Sequence, residues 1–224
     1  MDGAGHAPDF SSIYNALTGR RPYLWQQRIG HDIRVGNIPS AVVVPTGGGK
    51  TGIIASWMTS WIVALADPQV SSLRTGIPRR IVWVVNRRTV VDDIGTEAAT
   101  IARRIIHGAG LENLPWGKVQ DDLDVGQHGE ILKFIARKLN PLAGLGNAPI
   151  AVSSLRGELV DHGEWKQDPA RLSIIIGTPM KIGSKLFFCG LGEGKSTRPL
   201  SAAIIGCDSF IVHDEAVASN DGCR

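Results

Sequence analysis

The stretch that decides the fold is Ala41-Val-Val-Val-Pro-Thr-Gly-Gly-Gly-Lys-Thr51. The apolar segment Ile53 to Ala66 follows it. Four apolar residues, Ala41 to Val44, predict a buried strand that Pro45 ends. The glycines predict a tight loop, and the apolar segment predicts a buried helix. A strand, a glycine-rich loop and a helix in this order are the context of a phosphate-binding P-loop.

In such a loop, successive backbone N–H groups converge on phosphate oxygens, and the helix N-terminus adds its dipole. Lys50 is predicted to reach the β- and γ-phosphates of a nucleotide, and the Thr51 hydroxyl to bind Mg²⁺. The alternative is a glycine-rich turn with a solvated lysine. The predicted nucleotide-binding residues of the loop are Thr46, Gly47, Gly48, Gly49, Lys50 and Thr51.

A second candidate site follows the apolar run Phe210 to His213, about 160 residues after Lys50. This run predicts a strand that delivers Asp214 and Glu215 at its end. Asp214 would hold Mg²⁺ through water, and Glu215 would orient or deprotonate the attacking water. Because ligands gather at the carboxyl ends of parallel strands, the pair is predicted to converge with Lys50 as the catalytic group. A metal phosphohydrolase of the HD type, suggested by His213-Asp214, and a structural acidic turn are the alternatives.

The order of apolar segments predicts a parallel α/β sheet, since strands and helices alternate. We divide the chain into a flexible segment or short helix at 1–18, a domain at 19–216 and an atypical tail at 217–224. A glycine- and proline-rich stretch at about 107–149 is predicted to be a peripheral insertion. Further strands are predicted at 81–85, 150–153 and 172–177, and helices at 23–35, 53–66, 89–106 and 130–139.

The composition is that of an ordinary globular domain, with 43% hydrophobic and 20% charged residues. A net charge of +3 permits a nucleic-acid partner without requiring one. Cys189, Cys207 and Cys223 are odd in number and lack metal-site spacing, which favours reduced thiols in a cytoplasmic protein. The longest apolar run, Ile53 to Ala66, is too short to span a bilayer.

Several strings of the chain resemble the first RecA-like domain of a type I CRISPR-associated helicase–nuclease, most closely the type I-U (I-G) variant. The resemblance covers about residues 20 to 216. The strings PTGGGKT and DEA are typical of superfamily 2 helicases and translocases in general, whereas WVVNRRTVVD and LRGE…GEW…DPAR are more specific. The remaining strings are YLWQQR, RRIVWVVNRR, DPARLSIIIGT and IVHDEA.

The resemblance implies a three-layer α/β RecA-like domain that uses ATP and Mg²⁺ to move along single-stranded DNA in the 3′-to-5′ direction. In the family this motion is coupled to nuclease degradation of foreign DNA, after recruitment by a guide-RNA surveillance complex in antiviral defence. Gln26 is expected to read the adenine edge, with the neighbouring Gln27 as the alternative. Arg87, Arg88 and Thr178 are expected to hold the DNA backbone.

Two departures from the family pattern shape the expected activity. The family continues DEA-H-L, whereas this chain continues Val217-Ala-Ser-Asn-Asp-Gly-Cys-Arg224. No motif III, second RecA-like domain or nuclease domain is recognised, so we expect a truncated, frame-shifted or excised product with weak turnover alone. The alternatives are a motor fragment of a restriction-type or other superfamily 2 translocase, and a non-catalytic nucleotide- or DNA-binding remnant.

Overall fold

A computed structural model describes residues 7–45, 47–69, 75–111, 126–144, 148–155, 164–190 and 193–214, without the side chain of Arg88. The chain divides into two compact units. Unit 1 comprises Met1–Ile77, Thr100–Leu142 and Gly146–Pro149, and unit 2 comprises Pro78–Ala99, Ala143–Leu145 and Ile150–Arg224. Most residue contacts of each unit lie within that unit.

Unit 1 is helical and is built around the helix that follows the glycine loop. That helix begins at Ile53 and ends at Ala66, as predicted, and Trp57 and Trp61 are almost fully buried within it. Its Ser60 hydroxyl donates to Gly30 O at 2.7 Å, where a neighbouring helix approaches closely. The described helices of the unit are α1 (Phe10–Thr18), α2 (Leu24–Arg34), α3 (Ile53–Ala66), the part of α4 (Arg88–Gly108) from Thr100 onward, and α5 (Gly129–Leu139).

Two segments, one predicted as flexible or a short helix and one as a peripheral insertion, contribute helices that pack into unit 1. Of the two possibilities for residues 1–18, the short helix forms from Phe10 onward, because Asp9 caps it and Ile13 and Leu17 are buried in it. The helix α5, inside the predicted insertion, packs on α1 and α3 through fully buried Leu132 and Ile135. The insertion is therefore not peripheral at α5, because the apolar face of this amphipathic helix is part of the core.

Unit 2 contains a four-stranded, wholly parallel sheet in the order β2-β3-β1-β4. All residues of β1 and β3 are buried, as expected of central strands in a parallel sheet whose two faces are covered. This confirms the α/β class and the parallel sheet, and it is consistent with a three-layer RecA-like fold. The strands are β1 (Arg80–Val84), β2 (Ile150–Leu155), β3 (Leu172–Gly177) and β4 (Ser209–His213), and the further helices are α6 (Glu164–Gln167), α7 (Pro179–Leu186) and α8 (Arg198–Gly206).

A buried ion cluster joins the three short helices of unit 2. The carboxylate of Glu193 accepts hydrogen bonds from Lys166 of α6, at 2.5 Å, from Lys185 of α7, and from Ser201 of α8, at 3.0 Å. Only 6% of the Glu193 side chain is exposed. On the same side of the sheet, residues of these helices pack against β1, β2 and β3, in one cluster made of Val82, Val84, Leu155, Trp165, Ile175, Ile182, Ile204 and Ile205.

The prediction of a buried strand at Ala41 to Val44 is wrong. These residues form no strand, and Val43 is 97% exposed. The physical reason is that a strand needs a hydrogen-bonded neighbour, and none of the described strands pairs with this segment. The sheet instead ends at β4, where Ile211 is 48% exposed.

None of the described helices combines the length and the apolar character that crossing a bilayer requires.

Candidate functional site

The glycine loop takes backbone conformations that favour glycine at two positions. Gly47 has φ +80° and Gly49 has φ +76°, both in the left-handed region. Between them, the Gly48 amide donates to Pro45 O at 3.0 Å, and a Cβ at Gly48 would lie 2.4 Å from Val44 Cγ1. Left-handed residues within a turn bring backbone N–H groups together into an anion-binding concavity. Thr46 lies outside the described residues.

Two side chains of helix α2 donate hydrogen bonds to backbone carbonyl groups of this loop. Trp25 Nε1 donates to Gly48 O at 3.2 Å, and Gln26 Nε2 donates to Gly49 O at 2.8 Å. In a trans peptide unit the C=O and the following N–H point in opposite directions. Because α2 binds these two consecutive carbonyls, the N–H groups of Gly49 and Lys50 are turned away from α2. The loop therefore presents its donors on the side opposite to the helix that anchors it.

Both ends of the Gln26 side-chain amide are already hydrogen-bonded within the protein. Its Oε1 accepts from Tyr23 N at 2.9 Å, its Nε2 binds the loop, and the residue is only 3% exposed. A Cβ at Gly52 would lie 2.2 Å from Gln26 Nε2, which shows how tightly the amide is enclosed. An adenine could be read by Gln26 only if it displaced one of these contacts, so the role expected for Gln26 has no support in this geometry.

The neighbouring Gln27 lies in a different environment. It is half-buried and lines a surface cavity of about 380 Å³ together with residues of α1 and of the turn before α2. Of the two glutamines that the sequence left open, Gln27 is therefore the more accessible one, although no described residue of the glycine loop lines this cavity. The other residues that line this cavity are Ser11, Ser12, Asn15, Arg21 and Pro22.

Lys50 and Thr51 begin the helical segment at the end of the loop. A short 3-10 turn, Lys50–Gly52, leads directly into α3, and the Gly52 amide closes it by donating to Gly49 O at 3.0 Å. Both side chains are half-buried, and Lys50 forms no salt bridge with any described carboxylate. The positive end of the α3 dipole lies next to them. The lysine and the hydroxyl are thus placed as an anion site requires.

The acidic site and the predicted DNA contacts lie at the same side of the sheet, where the carboxyl ends of the parallel strands meet. The strands β1, β3 and β4 end in register, since Val84 pairs with both Gly177 and His213. Asp214 follows β4, is half-buried and donates its amide to Val84 O at 2.9 Å. Arg87 is exposed just after β1, and Thr178 follows β3. The structure therefore brings Asp214, Arg87 and Thr178 to the carboxyl edge of the sheet, where ligands of parallel sheets bind.

The details of this edge differ from residue to residue. Thr178 is the N-cap of α7, yet its hydroxyl makes no capping hydrogen bond. Arg88 begins α4. Its side chain and the whole of Glu215 lie outside the described residues. The P-loop residues belong to unit 1 and the residues of the sheet edge to unit 2, so the convergence of Lys50 with Asp214 stays a prediction.

The described residues contain no ready-made metal cage. No three His, Cys, Asp or Glu side chains in the described ranges are grouped so that they could hold an ion, and the thiols of Cys189 and Cys207 are free and exposed. The helical His and Asp partners that an HD-type site needs are therefore not found around His213 within these ranges. Mg²⁺ commonly takes only one or two carboxylates beside phosphate oxygens and water. Asp214 in unit 2 and the Thr51 hydroxyl in unit 1 are each of a ligand type that Mg²⁺ accepts.

Comparisons of the chain with models of protein families, with curated proteins and with solved structures found no match. The assignment of the site therefore depends on its own residues.

The role of Trp25 and Gln26 as loop anchors was missed by sequence reasoning. The available signal was Tyr23-Leu-Trp-Gln26, in which a glutamine stands three residues after the helix N-cap, as in a capping box.

Proposed function

We propose that this chain is the ATP-binding motor domain of an ATP-dependent helicase or translocase that acts on single-stranded DNA. On the resemblance of its sequence strings, we propose further that it acts as the first RecA-like domain of the CRISPR-associated helicase–nucleases does, in antiviral defence. The observation that carries the proposal is the glycine loop, whose carbonyls are bound by α2 and whose amides precede Lys50 and α3. A cytoplasmic location is part of the proposal.

Phosphate binding is the function that this loop supports best. The amides of Gly49 and Lys50 are turned to one side, and the Lys50 ammonium and the α3 dipole add positive charge. A solvated glycine turn would not need two side chains of another helix on consecutive carbonyls. Both anchors give the loop a fixed shape before a nucleotide arrives, which lowers the entropy lost on binding.

Hydrolysis would require groups from both units. Thr51 and Asp214 would hold Mg²⁺, which neutralises charge on the phosphates when it is bound. Glu215 would orient the attacking water. Gln27 is our choice for the adenine contact, since it lines a cavity and Gln26 is enclosed.

The sheet edge is the proposed path of the DNA strand. Exposed Arg87, the neighbouring Arg88 and the Thr178 hydroxyl would bind phosphates without reading bases. Further proposed partners are a guide-RNA surveillance complex, a second RecA-like domain and a nuclease domain. A restriction-type translocase fragment and a non-catalytic remnant share the loop and differ in partners and turnover.

Coupling between the two sites tests this proposal. The affinity for a fluorescein-labelled oligothymidylate is measured by anisotropy, with and without saturating MgATP. In a motor domain nucleotide and DNA binding are linked, so we expect MgATP to change the affinity by about fivefold or more in the wild type and not in Lys50→Ala. Equal DNA affinity in the two conditions, with nucleotide shown to be bound, would contradict the motor proposal.

A further inference from the structure

Two adjacent aromatic side chains are exposed where α7 ends. Phe187 is 78% exposed and Phe188 is 59% exposed, although phenylalanine is among the residues most often buried. Met180, seven residues before Phe187, is 72% exposed and lies on the same face of α7. Exposed apolar groups that are clustered in this way mark interaction sites.

The turn that carries these rings is fixed by backbone hydrogen bonds. Phe188 has φ +61°, a left-handed conformation that is a genuine outlier for a bulky residue. Four hydrogen bonds hold the turn to the last residues of α7. Phe187 N donates to Gly183 O at 2.9 Å, Phe188 N donates to Lys185 O at 3.2 Å, and Cys189 N and Gly190 N both donate to Ser184 O at 2.8 Å. The bonds from Phe188 N and Cys189 N are those of a Schellman cap, in which the residue after the C-cap is left-handed, so the cap holds both rings at a fixed place at the end of α7.

The surroundings of the turn carry positive charge. Between Thr178 and Gly206 the only carboxylate is Glu193, and its buried side chain is bound by Lys166 and Lys185. Lys181, Lys195 and Arg198 remain as partly or fully exposed cations. Arg198 lies at the turn itself, since a Cβ at Gly190 would be only 2.6 Å from Arg198 Cγ. This segment therefore combines aromatic side chains with cations, and its one carboxylate is already bound by two lysines.

We propose that the Phe187–Phe188 turn is a stacking platform for the bases of single-stranded nucleic acid. Every base has a π-face, so stacking on aromatic side chains tolerates any sequence, and nearby cations hold the phosphates. Here Lys181 and Arg198 supply those cations. A purely apolar protein partner would use the rings but would gain nothing from the surrounding positive charge.

The platform continues the proposed DNA path, and in this respect the inference rests on the proposed function. Thr178 is the N-cap of α7, and the turn follows the last residue of that helix. Eight helical residues rise about 12 Å, which is a span of a few nucleotides. A strand whose phosphate is held at Thr178 can therefore extend along α7 and place its bases on the rings.

The test compares oligothymidylate with an abasic oligonucleotide of the same length, both labelled with fluorescein and titrated with the full chain. Phe187→Ala and Phe188→Gly should each weaken oligothymidylate binding about tenfold and leave abasic binding unchanged. Glycine suits the left-handed φ at 188, so Phe188→Gly should not destabilise the fold, which rules out unfolding as the cause. Phe187→Leu, which keeps an apolar side chain without the ring, should behave like Phe187→Ala.

The salt dependence separates the rings from the cations. Arg198→Ala should reduce the slope of log K against log salt by about one, while the Phe variants leave the slope unchanged. Equal oligothymidylate binding by the wild type and the Phe variants would overturn the platform, as would equal binding of the abasic strand by the wild type. A wild type that binds no oligothymidylate would also overturn it and would indicate a protein partner for the rings.

The outcomes for the platform and for the motor proposal can be told apart. A base-dependent loss in the Phe variants without any MgATP effect would support the platform and contradict the motor. A MgATP effect that persists with unchanged DNA affinity in the Phe variants would support the motor and contradict the platform.

Discussion

The segments Ala41–Val44 and Ile81–Val85 are alike in sequence and opposite in structure. Both are short runs of apolar, mostly β-branched residues followed by a polar turn. The second segment is fully buried and lies mostly within β1, whereas the first forms no strand and exposes Val43 almost completely. The difference lies in their neighbours, since β1 has a hydrogen-bonded strand on each side and helices packed on Val82 and Val84.

The comparison shows that strand propensity is a preference for a pleated, covered surface and does not create that surface. The glycine loop keeps a defined shape although the segment directly before it is not a strand. Its support comes from α2, because Trp25 and Gln26 bind the loop carbonyls. Packing by a helix replaces support by a strand.

The largest expected effect comes from placing the same charge in both segments. Val82→Asp buries an unpaired carboxylate at a fully buried position and should cost at least about 5 kcal/mol, enough to unfold a marginally stable domain. Val43→Asp, at a position 97% exposed, should change stability by less than about 0.5 kcal/mol. Denaturant unfolding followed by circular dichroism measures both. A large loss in Val43→Asp would show that Ala41–Val44 is a buried strand after all.

The next effect concerns the helices that cover β1. Glu193→Gln leaves Lys166 and Lys185 without their shared carboxylate, and breaking a buried ion pair from one side costs about 3 to 5 kcal/mol. The matched control is Glu130→Gln, which removes a solvent-exposed pair with Lys133 and should leave stability almost unchanged. Equal losses in the two variants would mean that the cluster does not hold the covering helices.

The same cluster predicts a pH dependence. Burial alone would raise the pKa of Glu193, but hydrogen bonds from Lys166, Lys185 and Ser201 outweigh it and hold the pKa below its ordinary value of 4.5. A carboxyl whose folded pKa is lowered contributes stability that is fully present above 4.5 and is lost as the pH falls through the folded pKa. The stability difference between wild type and Glu193→Gln should therefore shrink on acidification below 4.5. A difference that stays constant down to strongly acidic pH would contradict the assignment.

A smaller effect is expected at the loop anchor. Gln26→Ala leaves Tyr23 N without its acceptor and removes one of the two donors to Gly49 O, and it should cost about 1 to 3 kcal/mol of stability. Because the loop loses its fixed shape, MgATP should also bind several-fold more weakly. Gln27→Ala is the control: it should leave stability unchanged and reduce the preference for ATP over GTP. A stronger loss of base preference in Gln26→Ala than in Gln27→Ala would restore Gln26 as the adenine contact.

The smallest effect compares the two ends of β1. Arg87, exposed at the carboxyl end, is proposed to hold a phosphate, whereas Arg79 at the other end is bound to Ala170 O and Asp208. Arg87→Ala should weaken oligothymidylate binding a few-fold and lower its salt slope by about one, while Arg79→Ala should leave the slope unchanged. The opposite pattern would move the DNA path to the other edge of the sheet.

The elements that sequence reasoning predicted well are those with strong internal patterns. The helix at 53–66 has the predicted bounds, and the runs at 81–85, 172–177 and 210–213 are strands within about two residues of expectation. The helices α7 and α8 were not predicted, because Pro, Gly, Ser and Lys interrupt their apolar pattern. Their burial depends on contacts with the sheet and with each other, which a single segment does not reveal.

The candidate site was predictable where backbone chemistry is local and not where it depends on contacts between elements. Three glycines before Lys50 predicted a tight loop, and the structure shows one in which Gly47 and Gly49 are left-handed. The burial of Gln26 was not predictable, since it depends on how α2 packs on the loop and on Gly52. The exposed rings of Phe187 and Phe188 could not be foreseen either, because an apolar pair in a sequence is expected to be buried.

The most direct test of the account is the titration of the chain with MgATP, by calorimetry or with a fluorescent nucleotide. The wild type should bind weakly, with a Kd toward the millimolar range, or about −4 kcal/mol. Lys50→Ala should abolish measurable binding, because it removes the one side-chain cation assigned to the phosphates. Lys181→Ala, which removes a half-buried lysine of unit 2, should bind like the wild type. Equal binding by the wild type and Lys50→Ala would contradict the assignment of the glycine loop as the nucleotide site.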